Sequence, residues 1–163
     1  MPRFISLTKG QVTVVDENDY SWLSHWKWYA QPQSRGGFYA QRRDTNQGMI
    51  FMHRLINATP DGILTDHEDG NGLNNQRYNL RNATPLQNMR NRRGKKCGTS
   101  YRKGVWFDRY QAGSKRWRSG IRIDGKLKYL GWFHTEDEAG DAYAQAAVFY
   151  FGEFACAVSG VAP

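Results

Sequence analysis

The sequence predicts an α+β fold: a small N-terminal β region, a central segment of short strands and one helix, a basic linker, and a C-terminal three-stranded antiparallel sheet packed on one helix. Three observations predict it. Bulky and β-branched residues crowd residues 4–52 in runs too short for helices. A dense turn cluster, Asp69-Gly70-Asn71-Gly72, interrupts the middle of the chain. An Asp124-Gly125 hairpin signal is followed by Thr135-Glu136-Asp137-Glu138, a capping box that opens a helix.

Taken in order, Gln11-Val12-Thr13-Val14-Val15 is the first strand. Asp16-Glu17-Asn18-Asp19 follows, either as a turn or as the acidic first turn of a short helix through Tyr20, Trp22 and Leu23. Trp26, Trp28 and Tyr29 are strand-like by bulk. Residues 38–43 and 49–52 flank a turn and read as a hairpin. Residues 63–67 form a short strand, and Asn79-Leu80-Arg81 resumes the chain after the turn cluster. Thr84 then caps a helix whose first position is Pro85. Leu86 and Met89 are expected on its buried side. Residues 90–100 are a basic, glycine-containing linker. Residues 116–123 and 126–133 are the hairpin strands, and the last helix stops at Gly152. Ala139, Ala142, Ala146 and Ala147 allow it to pack closely; Tyr143, Phe149, Tyr150 and Phe151 are expected to fill the core. The expected divisions are 1–52, 53–92, a linker at 93–100, 101–155, and a tail at 156–163.

The net charge of the 163-residue chain is +8, and it is unevenly placed. Residues 1–90 hold 10 basic and 8 acidic residues (+2), 91–130 hold 13 and 2 (+11), and 131–163 hold 0 and 5 (−5). A positive field gathered in one stretch is the footprint of a polyanionic partner. Cys97 and Cys156 make no C-x-x-C pair, so no structural zinc is expected. They read as two free thiols of a reducing compartment. No apolar run reaches the roughly 18 residues of a membrane span, and the first residues lack the apolar core of a signal peptide. The expected location is a cytoplasm, with no membrane partner.

Asp66-His67, Asn79 and Asn88 stand out chemically. Phosphodiester hydrolysis needs a base for water, a cation for the charge building on phosphate, and a frame holding both in line. His67 can take a proton near neutral pH. Asp66 and Asn88 offer hard oxygen ligands suited to one Mg²⁺ or Mn²⁺. Asn79 can hydrogen-bond backbone and stiffen the glycine-rich loop that presents His67. On residue types alone, an Asp-His pair before glycines is equally a surface turn. Adjacent strand residues also point to opposite faces. Asp66 and His67 reach one phosphate only if the strand end twists, or if they act from opposite sides. His53 reads as structural, near a short helix start, and His25 and His134 as packing residues.

Residues 52–92 resemble the HNH homing endonucleases of phages. The resemblance lies in His53-Arg54-Leu55-Ile56, Thr65-Asp66-His67-Glu68-Asp69-Gly70-Asn71, Asn74-Asn75, Tyr78-Asn79-Leu80-Arg81 and Gln87-Asn88-Met89-Arg90-Asn91-Arg92. It implies a ββα-metal core of two strands and a helix around one divalent cation. Asp66 and Asn88 would hold the metal, His67 would be the general base, and Asn79 a supporting residue. The products would carry 5′-phosphate and 3′-hydroxyl ends.

In the strand 116–123, Arg116, Arg118, Gly120 and Arg122 share one face by alternation, and Trp117, Ser119, Ile121 and Ile123 share the other. A cationic face on an apolar one suits groove or phosphate contact. This block also resembles the plant ethylene-response-factor (Apetala-type) DNA-binding domain. The resemblance rests on Ser100-Tyr101-Arg102, Gly104-Val105, Trp117, Ile121-Arg122, Tyr129-Leu130-Gly131-Trp132-Phe133, Thr135 to Ala139, Ala142-Tyr143, Ala146-Ala147 and Gly152-Glu153-Phe154-Ala155. It implies double-stranded DNA as partner, with Trp106, Arg118, Arg122 and Tyr129 as DNA-facing residues; Arg102 and Arg116 are further expected DNA contacts. Trp106, Asp108, Gly120 and Leu127 replace arginines of the plant domains, so their sequence preference does not carry over. Arg90, Arg92, Arg93, Lys95 and Lys96 of the linker would follow the duplex, and Arg35, Arg42 and Arg43 could add phosphate contacts. The expected state is a monomer or weak homodimer. The sequence leaves two rivals: a non-cutting DNA-binding regulator on an HNH scaffold, and an RNA-binding protein or structured-RNA nuclease.

Overall fold

Residues 1–34, 36–92 and 100–156 are described by the computed structural model. The expectations for Arg35, Arg93, Lys95, Lys96 and Cys97 lie outside the described residues. The chain falls into two units, Met1–Asn88 and Met89–Pro163. Both mix short helices with small antiparallel sheets, so the fold class is α+β.

In the first unit, β1 (Pro2–Ser6) and β2 (Val12–Asp16) pair antiparallel, Pro2 opposite Asp16 and Ser6 opposite Val12. Lys9 and Gly10 turn this hairpin with φ of 60° and 64°, a left-handed pair that follows strand twist. Of the two readings for the residues after β2, the helix forms: α1 (Glu17–Leu23) carries Glu17 and Asp19 in its first turn, where carboxylates favour the helix dipole. Trp26 and Trp28 correct the reading by bulk, because they lie in the irregular segment between α1 and the next strand, where pairing starts at Tyr29. Trp28 is fully buried and donates its Nε1–H to Leu23 O at 2.9 Å. Its size serves the core, not a ladder. β3 (Tyr29–Pro32), β4 (Phe38–Asp44) and β5 (Gly48–Phe51) form one antiparallel sheet in that order.

α2 (Met52–Ile56) follows, then β6 (Leu64–His67) pairs antiparallel with β7 (Leu80–Ala83). Ile5, Val15, Leu23, Trp28, Ala40, Met52, Ile56 and Leu80 form a single buried cluster. The N-terminal strands and the β6–β7 pair therefore rest on one apolar interior. α3 (Pro85–Asn91) opens with a reciprocal cap: Gln87 N–H donates to Thr84 Oγ1 at 3.3 Å, and Gln87 Oε1 accepts from Thr84 N–H at 2.8 Å. The expected burial of Leu86 and Met89 is overturned. They are 46% and 50% exposed, and Asn91 is the buried residue of the helix. Spacing of three places two residues on one side but does not say which way that side faces.

In the second unit, β8 (Val105–Phe107), β9 (Trp117–Ile123) and β10 (Lys126–Phe133) form an antiparallel sheet ordered β10-β9-β8. Asp124 and Gly125 turn the hairpin with φ of 47° and 80°. α4 (Glu136–Phe151) is capped by Thr135 Oγ1, which accepts from Glu138 N–H at 3.1 Å. It packs through Tyr143, Ala147 and Phe151 on Ile121 of β9. That four-residue spacing excludes Phe149, which is 80% exposed rather than in the core. His25 and His134 are also exposed, each at the flank of a helix, so neither packs as expected. A bulge between Tyr129 and Gly131 makes Leu130 an extra residue and brings Trp132 opposite Arg118.

Candidate active site

The site-bearing segment is built around the β6–β7 pair. Asp66 stands opposite Arg81 and His67 opposite Leu80. Both Asp66 and His67 are buried. They meet different surroundings, as strand alternation requires. Asp66 Oδ2 accepts from Arg81 Nε at 3.0 Å and Nη2 at 2.8 Å. His67 lies among Asn75, Tyr39 and His53. Its Nε2 is 3.1 Å from Asn75 Oδ1, its ring stacks on Tyr39 at 5.7 Å, and its ring meets that of His53 edge-on at 5.1 Å. Tyr39 is pressed in by Gly72, where a Cβ would lie 2.3 Å from its ring.

Asn79 is almost wholly enclosed by the loop it closes. Its Oδ1 accepts from Asp69 N–H at 3.0 Å, and its Nδ2 donates to Asp69 Oδ1 at 3.0 Å and Asn74 O at 2.8 Å. Its own carbonyl accepts from Glu68 N–H at 2.9 Å. Four hydrogen bonds from one residue thus fix the loop between β6 and β7. Asn88 sits half-buried on α3, its backbone N–H donating to Thr84 O at 3.0 Å. Asp66, His67 and Asn79 gather at one end of the strand pair, and Asn88 follows β7 by one helix turn.

Burial is the main influence on both histidines. It holds His67 below the usual imidazole range, against opposing contributions from Asn75, Asp69 and Asp66. It pushes His53 down to about 3, helped by the charges His67 and Arg54 would place beside it. His53 Nδ1 has no hydrogen-bond partner among the described residues. Both imidazoles are therefore neutral at physiological pH, the state a proton-accepting base requires. No group of three or more His, Cys, Asp or Glu among the described residues is placed to hold a metal ion. The Asp66 and Asn88 oxygens suit a different kind of ion. Mg²⁺ or Mn²⁺ takes one or two protein oxygens and completes its shell with water and phosphate. By donor type alone, Asp66 and Asn88 would suit such an ion, and the Arg81 guanidinium already occupies Asp66 Oδ2.

In the second unit, the outer face of the sheet is aromatic and cationic. Arg118 lies 4.8 Å from the Trp132 ring centre, 4.9 Å from Tyr129 and 5.9 Å from Trp106, with Asp108 at 3.7 Å. Gly120 leaves room beside them: a Cβ there would sit 3.1 Å from Trp106. Arg116 and Arg122 are exposed; Arg122 Nη1 donates to Gly125 O at 2.8 Å. Arg102 is tied to Asp137 and covers Gly140. Arg90 stacks on Phe151 at 4.5 Å, and Arg92 is exposed. In the first unit, Arg42 is occupied by Asp44 and Trp26 while Arg43 is exposed.

Sequence reasoning passed over four residues that matter here. Thr13 and Asn75 are completely buried behind His67. Arg81 balances Asp66, and Trp132 flanks Arg118. Asn75 had a signal, an asparagine just past a glycine turn, but nothing told that it points inward. Trp132 was hidden by the bulge, since counting by twos from Tyr129 puts it on the other face.

No protein-family model matches the chain. The chain is 30% identical over 153 residues, 90% of its length and 74% of the relative's, to a protein of Acanthamoeba polyphaga mimivirus named "Uncharacterized HNH endonuclease L560". It is also 37% identical over 67 residues to "Protein 3.8" of Escherichia phage T7, a match covering 41% of this chain and 53% of that protein.

Proposed function

The chain belongs to the HNH endonuclease family, and from that premise we propose that it is a metal-dependent nuclease of double-stranded DNA, placed on its substrate by the C-terminal sheet. The observation that carries this reading is the placement of His67. It is a buried, neutral imidazole at the end of β6, beside a carboxylate and before a loop locked by Asn79.

In this reading β6, β7 and α3 form a ββα-metal core. Asp66 and Asn88 hold one Mg²⁺ or Mn²⁺, which would neutralise charge on the phosphate and the leaving oxygen. His67 takes the proton of the attacking water. Asn79 supports the reaction by keeping the loop after His67 in one conformation. Water adds to phosphorus, the bond from phosphorus to the 3′ oxygen breaks, and that oxygen leaves and takes up a proton, while the phosphate stays on the 5′ oxygen; the products carry 5′-phosphate and 3′-hydroxyl ends.

For the second unit, Arg118 in its aromatic setting, with Trp106, Tyr129, Arg116 and Arg122, forms the duplex-contacting face. This is the role of a sheet laid in a groove, where arginine reads base edges and neighbours hold phosphates. Arg43, Arg90, Arg92 and Arg102 contribute positive charge, although Arg102 must leave Asp137 to touch DNA. One active site per chain makes a single-strand nick, and a double-strand break needs two chains. No helix among the described residues is long and apolar enough to cross a membrane.

The test is conversion of supercoiled plasmid in Mg²⁺ or Mn²⁺, with His67→Ala and Asn88→Ala as comparators. The expected result is relaxed or linear product, abolished by EDTA and strongly reduced in both variants. Duplex binding without cutting of any DNA would favour the non-cutting regulator instead. Preference for structured RNA in competition would overturn the choice of substrate.

A further inference from the structure

We propose that Asn75, held by Thr13, is a positioning residue that fixes His67 in the tautomer protonated at Nε2, so that Nδ1 is the atom that takes up a proton. The catalytic consequence rests on the endonuclease reading; the tautomer does not.

The starting point is a group that can only accept. Leu73 O accepts from Thr13 Oγ1 at 2.8 Å. The other neighbour of that hydroxyl, Met52 Sδ at 3.9 Å, is also only an acceptor. The hydroxyl proton goes to one of these, so Thr13 Oγ1 faces Asn75 as an acceptor. Asn75 must then turn its Nδ2 to Thr13, and these atoms are 2.8 Å apart. Its Oδ1 consequently faces His67 Nε2, at 3.1 Å. An amide oxygen opposite a ring nitrogen requires a proton on that nitrogen. A neutral imidazole carries one proton, which leaves Nδ1 unprotonated.

Three further features make the relay stiff. Thr13 and Asn75 are both 0% exposed, so water does not compete for their hydrogen bonds. The backbone on either side is gripped by β2: Asn75 N–H donates to Val14 O at 2.8 Å, and Val14 N–H donates to Leu73 O at 2.9 Å. The Tyr39 ring lies within 17° of parallel to that of His67, which restrains its rotation. The relay joins residues 62 positions apart in sequence. The N-terminal hairpin is thereby part of the apparatus that aims the base, and loss of an orienting partner commonly costs about 10- to 100-fold in activity.

The experiment has two arms on the full chain. Nitrogen-15 NMR of the His67 ring, without metal at neutral pH, reads the tautomer directly. The expected spectrum has a protonated Nε2 and a bare Nδ1, and Asn75→Leu should abolish that preference. The second arm is steady-state plasmid nicking. Asn75→Leu should lower kcat about 10- to 100-fold with little change in KM. Asn75→Asp, which keeps an oxygen opposite Nε2 but sets its other oxygen against the Thr13 acceptor, should keep the Nε2-protonated ring and recover only part of the loss, and Thr13→Ser should behave as wild type. A wild-type ring protonated at Nδ1 would overturn the proposal, as would Asn75→Leu with tautomer and kcat unchanged. The wild-type spectrum decides the tautomer even where Asn75→Leu does not fold. An Nε2-protonated ring in a protein that cuts no DNA would support the relay and defeat the endonuclease reading.

Discussion

Arg81→Ala isolates what the Asp66 carboxylate needs. Two charge-assisted bonds reach Asp66 Oδ2, at 3.0 and 2.8 Å, and the two side chains are 13% and 5% exposed. Solvent screens such a pair weakly. Removing one partner of a buried ion pair costs about 3–5 kcal/mol, because the remaining charge is stranded. The second contact of Arg81, to Glu68 at 3.9 Å, involves a largely exposed carboxylate and adds little. With an assumed loss of about 3 kcal/mol and a urea slope of about 1.5 kcal/mol per molar, the unfolding midpoint in EDTA should fall by about 2 M. Mg²⁺ should recover part of this loss in Arg81→Ala and stabilise the wild type less, since a cation on Asp66 replaces the missing charge. Asp66→Asn in the same background should also restore stability by removing the stranded charge. A midpoint that falls by less than roughly 0.5 M, or equal stabilisation of both proteins by Mg²⁺, would refute the reasoning.

His53 should make the fold acid-sensitive. Its folded pKa of about 3 lies below the ordinary 6.5, so the unfolded chain binds the proton more readily; stability is full above pH 6.5 and falls as pH drops toward 3. His53→Phe should flatten the stability–pH curve in that window by up to about 1.4 kcal/mol per pH unit, and an unchanged slope in urea titrations would count against it. Gly104→Ala would put a Cβ 2.1 Å from Tyr143 and 2.5 Å from Gly120 O at a φ of +69°; overpacking and backbone strain together predict a loss of about 2–4 kcal/mol in thermal or urea unfolding of the second unit, and wild-type stability would show that the neighbours yield. Arg118→Ala should weaken duplex binding and reduce its salt slope by about one if the side chain meets phosphate. Trp132→Ala should weaken binding less, by about 0.5–1 kcal/mol of lost restraint on Arg118, and fluorescence anisotropy showing no effect of either change would remove the sheet face from the interface.

Local chemistry was legible where it acts alone. The Asp124-Gly125 turn, the Thr135 cap and the alternation along β9 each depend on neighbours in sequence, and each forms. The helix after β2 was one of two open readings, since acidic residues suit either a turn or a first helical turn. What could not be read is direction. Leu86 and Met89 mark a side of α3, and only tertiary structure turns that side outward. Trp28 signals bulk that belongs to a core rather than a strand. Phe149 belongs to an aromatic run, but helical rotation lets only some of its members reach the sheet. In the proposed site, Asp66, His67, Asn79 and Asn88 were suggested by residue type, and only the family resemblance set them apart from a surface turn. Thr13 was suggested by neither, because its contact with Asn75 crosses most of the first unit and leaves no trace in either local segment.

The shared interior of the first unit sets the smallest portion of the chain that could be moved by recombination. A cassette of residues 53–92 would carry the Asp-His pair and its asparagines into a new host. It would leave behind Ile5, Val15, Leu23, Trp28, Ala40 and Met52, which share a core with Ile56 and Leu80, and Tyr39, which lies against His67. Such a transplant would arrive with its chemistry spelled correctly and its foundations missing. The heritable module is therefore the whole N-terminal unit, and crossover points that yield working chimeras should cluster after α3 rather than before α2.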